Sequence, residues 1–153
     1  MHWNLPALVA VETSPTGATT LMDDIDHRQA RSPQAAPLTI SVRAAAELAS
    51  IRRQMRSWLS PSLSPADMDE VLLAAGEALA NAIEHGAPPI TLSLEWTGEL
   101  LLQLRVRDSG AWRLSSETAS RGLGIPIMTA LMDSFTVETT DGTAIQLSRQ
   151  FTT

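Results

Sequence analysis

Glu77 and Asn81 are the residues of this chain whose types and spacing point most directly to chemistry. They stand four positions apart in the segment 76–86, which reads GEALANAIEHG. On an α-helix that spacing is about one turn, so both side chains project from one face. No Lys or Arg occurs between Asp67 and Gly86, although an exposed helix face usually mixes both charge signs. A carboxylate one turn from a carboxamide, with no cation in the segment, suits a divalent metal held by oxygen ligands together with a general base.

The same helix carries other polar residues on that face and apolar residues on the opposite one. Glu70, Glu84 and His85 fall on the stripe of Glu77 and Asn81. The opposite side is predicted to face the core and consists of Met68, Val71, Leu72, Ala75, Ala78, Leu79, Ala82 and Ile83. An ordinary amphipathic helix with a solvated face has the same pattern. On this segment alone, both interpretations stay open.

The composition excludes several classes of function. The length of 153 residues allows one domain with a core. The formal net charge of −6 argues against direct nucleic-acid binding. The absence of Cys excludes disulfides, zinc–thiolate sites and Cys nucleophiles. All eleven basic residues are Arg, which excludes mechanisms that need a Lys amine, such as the P-loop Lys. No apolar run approaches the about 20 residues of a membrane span and no signal-peptide pattern opens the chain, so we expect a cytoplasmic protein without a membrane partner.

The domain organisation follows from where regular patterns begin. Residues 1–36 show no sustained period, and we interpret them as an N-terminal extension or linker of unknown role. Residues 37–153 are predicted to form one domain. Within it we expect, in order, a strand at 37–41, helices at 42–59 and 64–85, strands at 90–96 and 100–107, a loop at 111–121, a helix at 123–132, and strands at 135–140 and 143–151. This order predicts an α+β two-layer sandwich, in which a mixed, mostly antiparallel sheet is covered on one face by about three helices.

Local signals mark the ends of the helix predicted at 64–85. Ser64 is a good N-cap, Pro65 fits the first helical position, and Asp67 places an acid in the first turn. Gly86 follows the last helical residue and is expected to be a left-handed cap. In the same way, Asp141-Gly142 predicts the turn of the final hairpin.

Three further motifs accompany the Glu77/Asn81 helix, and each is ambiguous by itself. Asp108 and Gly110 follow a predicted strand, where the acid can accept a hydrogen bond from an exocyclic amine such as that of adenine, or simply form an Asx turn. The segment Arg121-Gly122-Leu123-Gly124 precedes a helix, so its backbone N–H groups and its guanidinium can contact an anion; a flexible hinge is the alternative. Gly142-Thr143 lies in the last predicted hairpin, and a glycine there favours the turn whether or not the residues belong to a site.

Taken in order, these motifs resemble those of the GHKL ATPase superfamily. The series is Glu-x3-Asn-x3-His-Gly, Asp-x-Gly after a strand, Arg-Gly-x-Gly opening a helix, and Gly-Thr in a closing hairpin. Within the superfamily the chain is most similar to the anti-sigma-factor serine/threonine-protein kinases of bacteria. It shares their short loop between Asp108 and Gly122, and its segment 127–133 looks like their Leu-Met-Asp helix end. The resemblance covers about residues 38–151 and implies the histidine-kinase-like ATPase fold.

The resemblance also implies a role for each matching residue. Asn81 is expected to hold the Mg²⁺ that bridges the phosphates of ATP, and Glu77 to be the base that takes the proton from the incoming serine. Asp108 is expected to bind the adenine amino group, with Thr143 nearby. The remaining expected contacts are Gly110, Gly122, Leu123 and Gly124 along the nucleotide and Arg121 at the γ-phosphate. ATP and Mg²⁺ are therefore the implied cofactors, and phosphoryl transfer needs chiefly the positioning and charge neutralisation that such groups provide.

The function implied by the resemblance is that of a serine kinase that also acts as an anti-sigma factor. It would phosphorylate a serine of an anti-anti-sigma antagonist protein and, in its other state, hold a sigma factor. The relatives dimerise, so a homodimer is expected. The predicted helix with Arg52, Arg53 and Arg56 is either a partner surface or a solvated face.

Two alternative functions stay open. One is a non-catalytic, nucleotide-gated binding module, although a pure binder needs Asn81 but not the base Glu77. The other is a regulatory ATPase module of a larger sensor or phosphatase system. The chain departs from the family pattern at Ala111-Trp112, where many relatives carry a second glycine. His85 is expected to be structural or to line the site, because the separate helical domain that carries a phosphohistidine in histidine kinases has no counterpart here.

Overall fold

The computed structural model describes residues 35–111 and 124–152 of the chain. Except for its last two residues, the extension predicted at 1–36 lies outside these ranges, as does most of the loop predicted at 111–121. The elements are β1 (Leu38–Val42), a 3-10 turn (Ala45–Glu47), α1 (Leu48–Leu59), α2 (Pro65–His85), β2 (Ile90–Thr97), β3 (Leu101–Asp108), α3 (Gly124–Leu131), β4 (Ser134–Glu138) and β5 (Thr143–Gln150). Over these ranges, no helix has both the length and the apolar character needed to cross a bilayer.

The strands form one five-stranded sheet in the order β1-β2-β3-β5-β4. Neighbouring strands pair antiparallel at every position in this order. The predicted α+β class with three helices is therefore confirmed. The sheet was expected to be mixed, whereas all pairings between the described strands are antiparallel.

The core lies between the three helices and one face of the sheet. Strand residues alternate between this face and solvent because successive side chains of a strand point to opposite sides. Leu104 of β3, for example, pairs with Leu94 of β2 and with Leu147 of β5, and all three are buried. The opposite face carries polar pairs such as Glu95 with Gln103.

The predicted start of α2 is confirmed. Ser64 is the N-cap, its hydroxyl accepts a hydrogen bond of 3.2 Å from the backbone N–H of Asp67, and Pro65 occupies the first helical position. The predicted core face is also buried, except that Ile83 is only partly covered and Ala74 is buried in addition. Helix α2 therefore holds its polar stripe away from the sheet.

The helix predicted at 42–59 begins later than expected. Val42 is the last residue of β1, pairs with Ile90 and is buried. The Glu47 carboxylate accepts hydrogen bonds of 2.8 Å and 3.1 Å from the backbone N–H groups of Arg43 and Ala44. This side-chain cap separates β1 from the helical turns that follow. The alanines at 44–46 favour a helix locally, but the sheet pairing of the β-branched Val42 overrides that preference.

Candidate functional site

Glu77 and Asn81 of α2 face the first residue of α3. A Cβ built on Gly124 would lie 3.2 Å from Oε2 of Glu77, 3.6 Å from Nδ2 of Asn81 and 3.8 Å from Oδ1 of Asn81. The structure thus brings together three of the residues that the sequence analysis selected. A side chain at position 124 would compete with both polar groups for this space, so a glycine keeps the N-terminal end of α3 open toward them.

Asp108 ends β3 as a buried carboxylate, with only 6% of its surface exposed. It continues the inward alternation of Leu104 and Val106 and therefore points to the helical side of the sheet. Its Oδ1 accepts hydrogen bonds from the backbone N–H of Gly110 at 2.6 Å and from that of Ala87 at 3.3 Å. The first of these bonds is an Asx turn, so the structural alternative weighed for Asp108 is present. It uses one of the two carboxylate oxygens and leaves the other for a further donor.

Thr143 joins Asp108 and Gly110 at the same end of the sheet. It is the register partner of Asp108 and is 4% exposed. Its hydroxyl donates a hydrogen bond of 2.9 Å to the carbonyl oxygen of Gly110. Three predicted site residues from two strands and one turn therefore form a single hydrogen-bonded group.

Gly86 is not the left-handed cap that the sequence predicted. Its φ is −93° and its ψ is −163°, which is extended backbone. The reason for a glycine here is space, because a Cβ would lie 2.4 Å from Cγ of Asp108 and 2.6 Å from the carbonyl oxygen of Ala82. The absence of a side chain thus lets the Asp108 carboxylate approach the C-terminal end of α2. No local sequence pattern indicates this contact, because the two residues are brought together only by the fold.

Asp108 and Asn81 consequently lie along the same half of α2. Gly86, which contacts Asp108, follows Asn81 by five residues, or about 7.5 Å along the helix axis at 1.5 Å per residue. One end of this stretch carries a buried acceptor. The other end carries the Glu77 and Asn81 side chains and the N-terminal end of α3. The candidate site is therefore elongated, with chemically different ends.

Gly142 is a second glycine whose packing was not predicted. Its φ is +101°, and a Cβ there would lie 2.3 Å from the carbonyl oxygen of Asp108. Asp141 before it also has a positive φ, of 56°, and Asp-Gly pairs are typical of hairpin turns with such angles. The predicted turn is thus confirmed, and it packs directly against the backbone carbonyl group of Asp108.

Cations from other elements reach α2, although its own segment from Asp67 to Gly86 contains none. Arg149 of β5 reaches across and binds Glu70 at 2.5 Å and Asp67 at 3.2 Å, while Arg56 of α1 binds Asp69 at 3.2 Å. Glu70 is therefore engaged in an ion pair and does not belong to the candidate site.

Glu77 and Asn81 are in a different situation. Their side chains make no hydrogen bond or salt bridge to another residue within 35–111 or 124–152. Both are partly exposed, so they are accessible to a ligand.

His85 ends α2 on the solvent side. Its Nε2 lies 3.6 Å from Oε2 of Glu84, and both side chains are largely exposed. Among the described residues, no group of three or more His, Cys, Asp or Glu side chains could hold a metal ion. A metal at this site would therefore depend on few protein oxygens and on oxygens of a bound ligand.

Several predicted residues lie outside the described ranges. They are Arg121, Gly122, Leu123 and Trp112.

A groove of about 410 Å³ on the open face of the sheet contains none of the candidate site residues; polar side chains such as Ser93, Gln103 and Ser148 line it.

Comparisons with known proteins agree with this fold. The sequence model of the histidine kinase-like ATPase domain matches residues 40–149. Comparison with curated proteins gives no match. Among solved structures, the crystal structure of the RsbU and RsbW domains of Rv1364c from Mycobacterium tuberculosis is similar, with a TM-score of 0.61 and 24% sequence identity. That match covers 76% of this chain and 32% of the other, so this chain spans about a third of the length of its structural neighbour.

Proposed function

This chain belongs to the histidine kinase-like ATPase domain family, and on that premise we propose that it is an ATP-dependent protein serine kinase of the anti-sigma type. The nucleotide follows from the family, since an ATPase domain binds ATP. The observation that carries the proposal is the closeness of Gly124 to Glu77 and Asn81. A Cβ built on Gly124 would lie 3.2 Å from Oε2 of Glu77 and 3.8 Å from Oδ1 of Asn81. A base, an oxygen ligand and a helix N-terminus meet there, and phosphoryl transfer uses these groups.

Mg²⁺ suits the small number of protein oxygens at this site. In nucleotide sites it usually keeps several waters and binds one or two protein oxygens plus the substrate phosphates, rather than an all-protein cage. Asn81 is the residue that would hold it, and the described residues contain no competing cluster of three ligands. When bound, Mg²⁺ neutralises phosphate charge.

Asp108 is the residue proposed to recognise adenine. Its Oδ1 already accepts two backbone N–H groups, and its Oδ2 accepts none from the described residues. An exocyclic amine can donate to that second oxygen, whereas guanine presents a carbonyl at the same position. Thr143 supports this end of the site through its hydrogen bond to Gly110.

The proposed reaction is displacement at the γ-phosphorus of ATP. The serine Oγ forms a bond to phosphorus, the bond from phosphorus to the bridging β–γ oxygen breaks, and ADP leaves with that electron pair. Glu77 accepts the proton from the serine hydroxyl. Arg121, Gly122 and Leu123 are proposed to contact the phosphates, on the strength of the sequence resemblance.

The proposed protein partners are an anti-anti-sigma antagonist as phosphate acceptor, a sigma factor as the held protein, and a second copy of the chain. The motif order in the sequence supports this choice. So does the similar fold of a structure that contains an RsbW domain, although the chain covers only 32% of that one.

Phosphotransfer is the direct test. The full chain is incubated with γ-labelled ATP, Mg²⁺ and purified candidate antagonist proteins, each paired with its own Ser→Ala variant as control. We expect label on one antagonist and none on its variant. ATP binding without transfer to any antagonist would instead identify a nucleotide-gated binding module.

A further inference from the structure

Leu73 stands out on the solvent side of α2. It is 47% exposed and is the one large apolar side chain in the described ranges that is exposed. A single exposed leucine is common on protein surfaces and needs no function. The position of Leu73 is what distinguishes it, because it precedes Glu77 by one turn. At 100° per residue, the two side chains are separated by about 40° around the helix.

The surface beside Leu73 carries small residues and one guanidinium. Gly76 follows Leu73 by three positions and adjoins it on the helix surface, and Ala80 lies one turn beyond Gly76 on the same side of α2. Nη2 of Arg52, from α1, lies 3.8 Å from the position of a Cβ on Gly76. The guanidinium therefore rests against α2 one residue before Glu77.

Arg52 differs in this respect from Arg56, one turn later in α1. Arg56 forms a salt bridge of 3.2 Å with Asp69. Within residues 35–111 and 124–152, Arg52 forms none. The surface beside Glu77 thus presents an apolar side chain and a positive charge that can accept a carboxylate.

A protein that delivers a serine hydroxyl to Glu77 must cover this surface. On the side that faces α3, Glu77 lies close to the start of that helix, since a Cβ built on Gly124 would be 3.2 Å from Oε2. The buried stripe of α2 closes the side that faces the sheet. Among the residues that the structure describes, approach from solvent therefore crosses the ridge of Leu73, Gly76 and Ala80. The small side chains at positions 76 and 80 allow a partner to come close to the helix.

We infer that this ridge is the docking surface for the acceptor protein, with Leu73 as its apolar contact and Arg52 as its ionic contact. The inference rests on the proposed function. The occupant is a folded protein that presents a serine flanked by an apolar side chain and a carboxylate. The carboxylate pairs with Arg52 and sets the register, while the apolar side chain removes Leu73 from water.

The test measures phosphorylation of the acceptor protein that the parent chain labels. Leu73→Asp and Arg52→Glu are compared with Arg53→Glu, which makes the same charge change at the next position without the contact to Gly76. Loss of a buried leucine contact is worth about tenfold to a hundredfold in affinity. We expect the first two variants to raise KM for the acceptor about tenfold or more. The kcat at saturating acceptor and the calorimetric Kd for Mg·ATP should stay within about twofold of the parent, and Arg53→Glu should behave as the parent.

Each other outcome has a distinct meaning. An unchanged KM in both variants, with ATP binding and melting temperature preserved, overturns the docking surface but leaves the kinase function standing. An equal rise in KM for Arg53→Glu overturns it too, because the effect would then be general electrostatics. If light scattering shows that Leu73→Asp instead dissociates a homodimer, the ridge covers a second copy. If the parent labels no acceptor, the proposed function fails, and this inference fails with it.

Discussion

The Asp108 carboxylate occupies the space that a side chain on Gly86 would need, since a Cβ at position 86 would lie 2.4 Å from Cγ of Asp108. This contact ties the end of β3 to the end of α2. It also requires a glycine at the end of α2, where the backbone of Gly86 is extended rather than left-handed. The Asp108 end of the candidate site is therefore connected, through its contact with Gly86, to the helix that carries Glu77 and Asn81.

Replacing Gly86 by Ala should destabilise the fold and weaken ATP binding together. The φ of −93° suits alanine, so the cost comes from overpacking, at about 1–3 kcal/mol. Thermal unfolding and ATP calorimetry on one variant measure both effects. Gly98→Ala is the matched control, because its φ is +65° with nothing within 4 Å of the added Cβ; it should lower stability and leave ATP affinity alone. Unchanged ATP affinity in Gly86→Ala would separate Asp108 from the site.

Replacing Asp108 by Asn should weaken ATP binding and relax the preference for ATP over GTP. The amide oxygen can keep the hydrogen bonds from Gly110 and Ala87, so the Asx turn survives while the second oxygen becomes an N–H₂ donor. Loss of a charged acceptor costs about 1.5–3 kcal/mol, or roughly tenfold to a hundredfold in affinity. Competition binding with ATP and GTP measures the ratio. A lower melting temperature with an unchanged ratio would assign Asp108 to the turn alone.

Replacing Glu77 by Gln should separate binding from chemistry. The amide keeps the size of the side chain but cannot accept the serine proton, and a general base contributes roughly 10²–10⁴-fold. We expect Mg·ATP to bind and phosphotransfer to fall by that factor. Glu84→Gln, on the same face of α2 but largely exposed, is the control and should transfer normally. Parent-like transfer by Glu77→Gln would show that Glu77 is not the base.

Replacing Arg149 by Met should lower stability. The guanidinium is 19% exposed, binds Asp67 and Glu70, donates to the carbonyl oxygen of Leu131 at 3.1 Å and lies 4.7 Å from the centre of the Phe151 ring. Its loss leaves two carboxylates close together, and we expect a cost of about 1–3 kcal/mol. Chemical denaturation measures it.

Arg105→Met is the control for that variant. Arg105 forms a more exposed ion pair of 3.4 Å with Glu138 on the open sheet face. Surface pairs of this kind contribute about 0–1 kcal/mol, so the control should lose less. Equal losses would mean that Arg149 does not bridge α2 and β5 in solution.

Structural features that depend only on residues close together in the chain could be predicted from the sequence. The N-cap at Ser64 depends on residues within one turn, and the strand alternation at Leu104 and Val106 repeats every second residue. Both predictions held. The pairing of Glu77 with Asn81 could be predicted for the same reason, since one helical turn links them.

Features that depend on distant contacts could not be predicted. Arg149 and Glu70 are 79 positions apart, so no local pattern indicates their ion pair. Gly86 looked like an ordinary helix cap because its contact with Asp108 exists only once α2 and β3 pack together. The sequence pattern predicts Val42 as the start of a helix, and this prediction is wrong because the pairing of Val42 with Ile90 outweighs the helix-forming residues that follow.

The central claim is that the face of α2 with Asn81 holds Mg·ATP. Titration calorimetry of ATP into the parent and into Asn81→Ala, with and without Mg²⁺, tests it most directly. Asn81 lies off the buried stripe of α2, so the variant should keep the parent melting temperature. We predict that Mg²⁺ strengthens ATP binding to the parent and that Asn81→Ala loses this gain, because a metal ligand is removed. Equal Mg·ATP affinity in the parent and in a folded Asn81→Ala variant would contradict the claim.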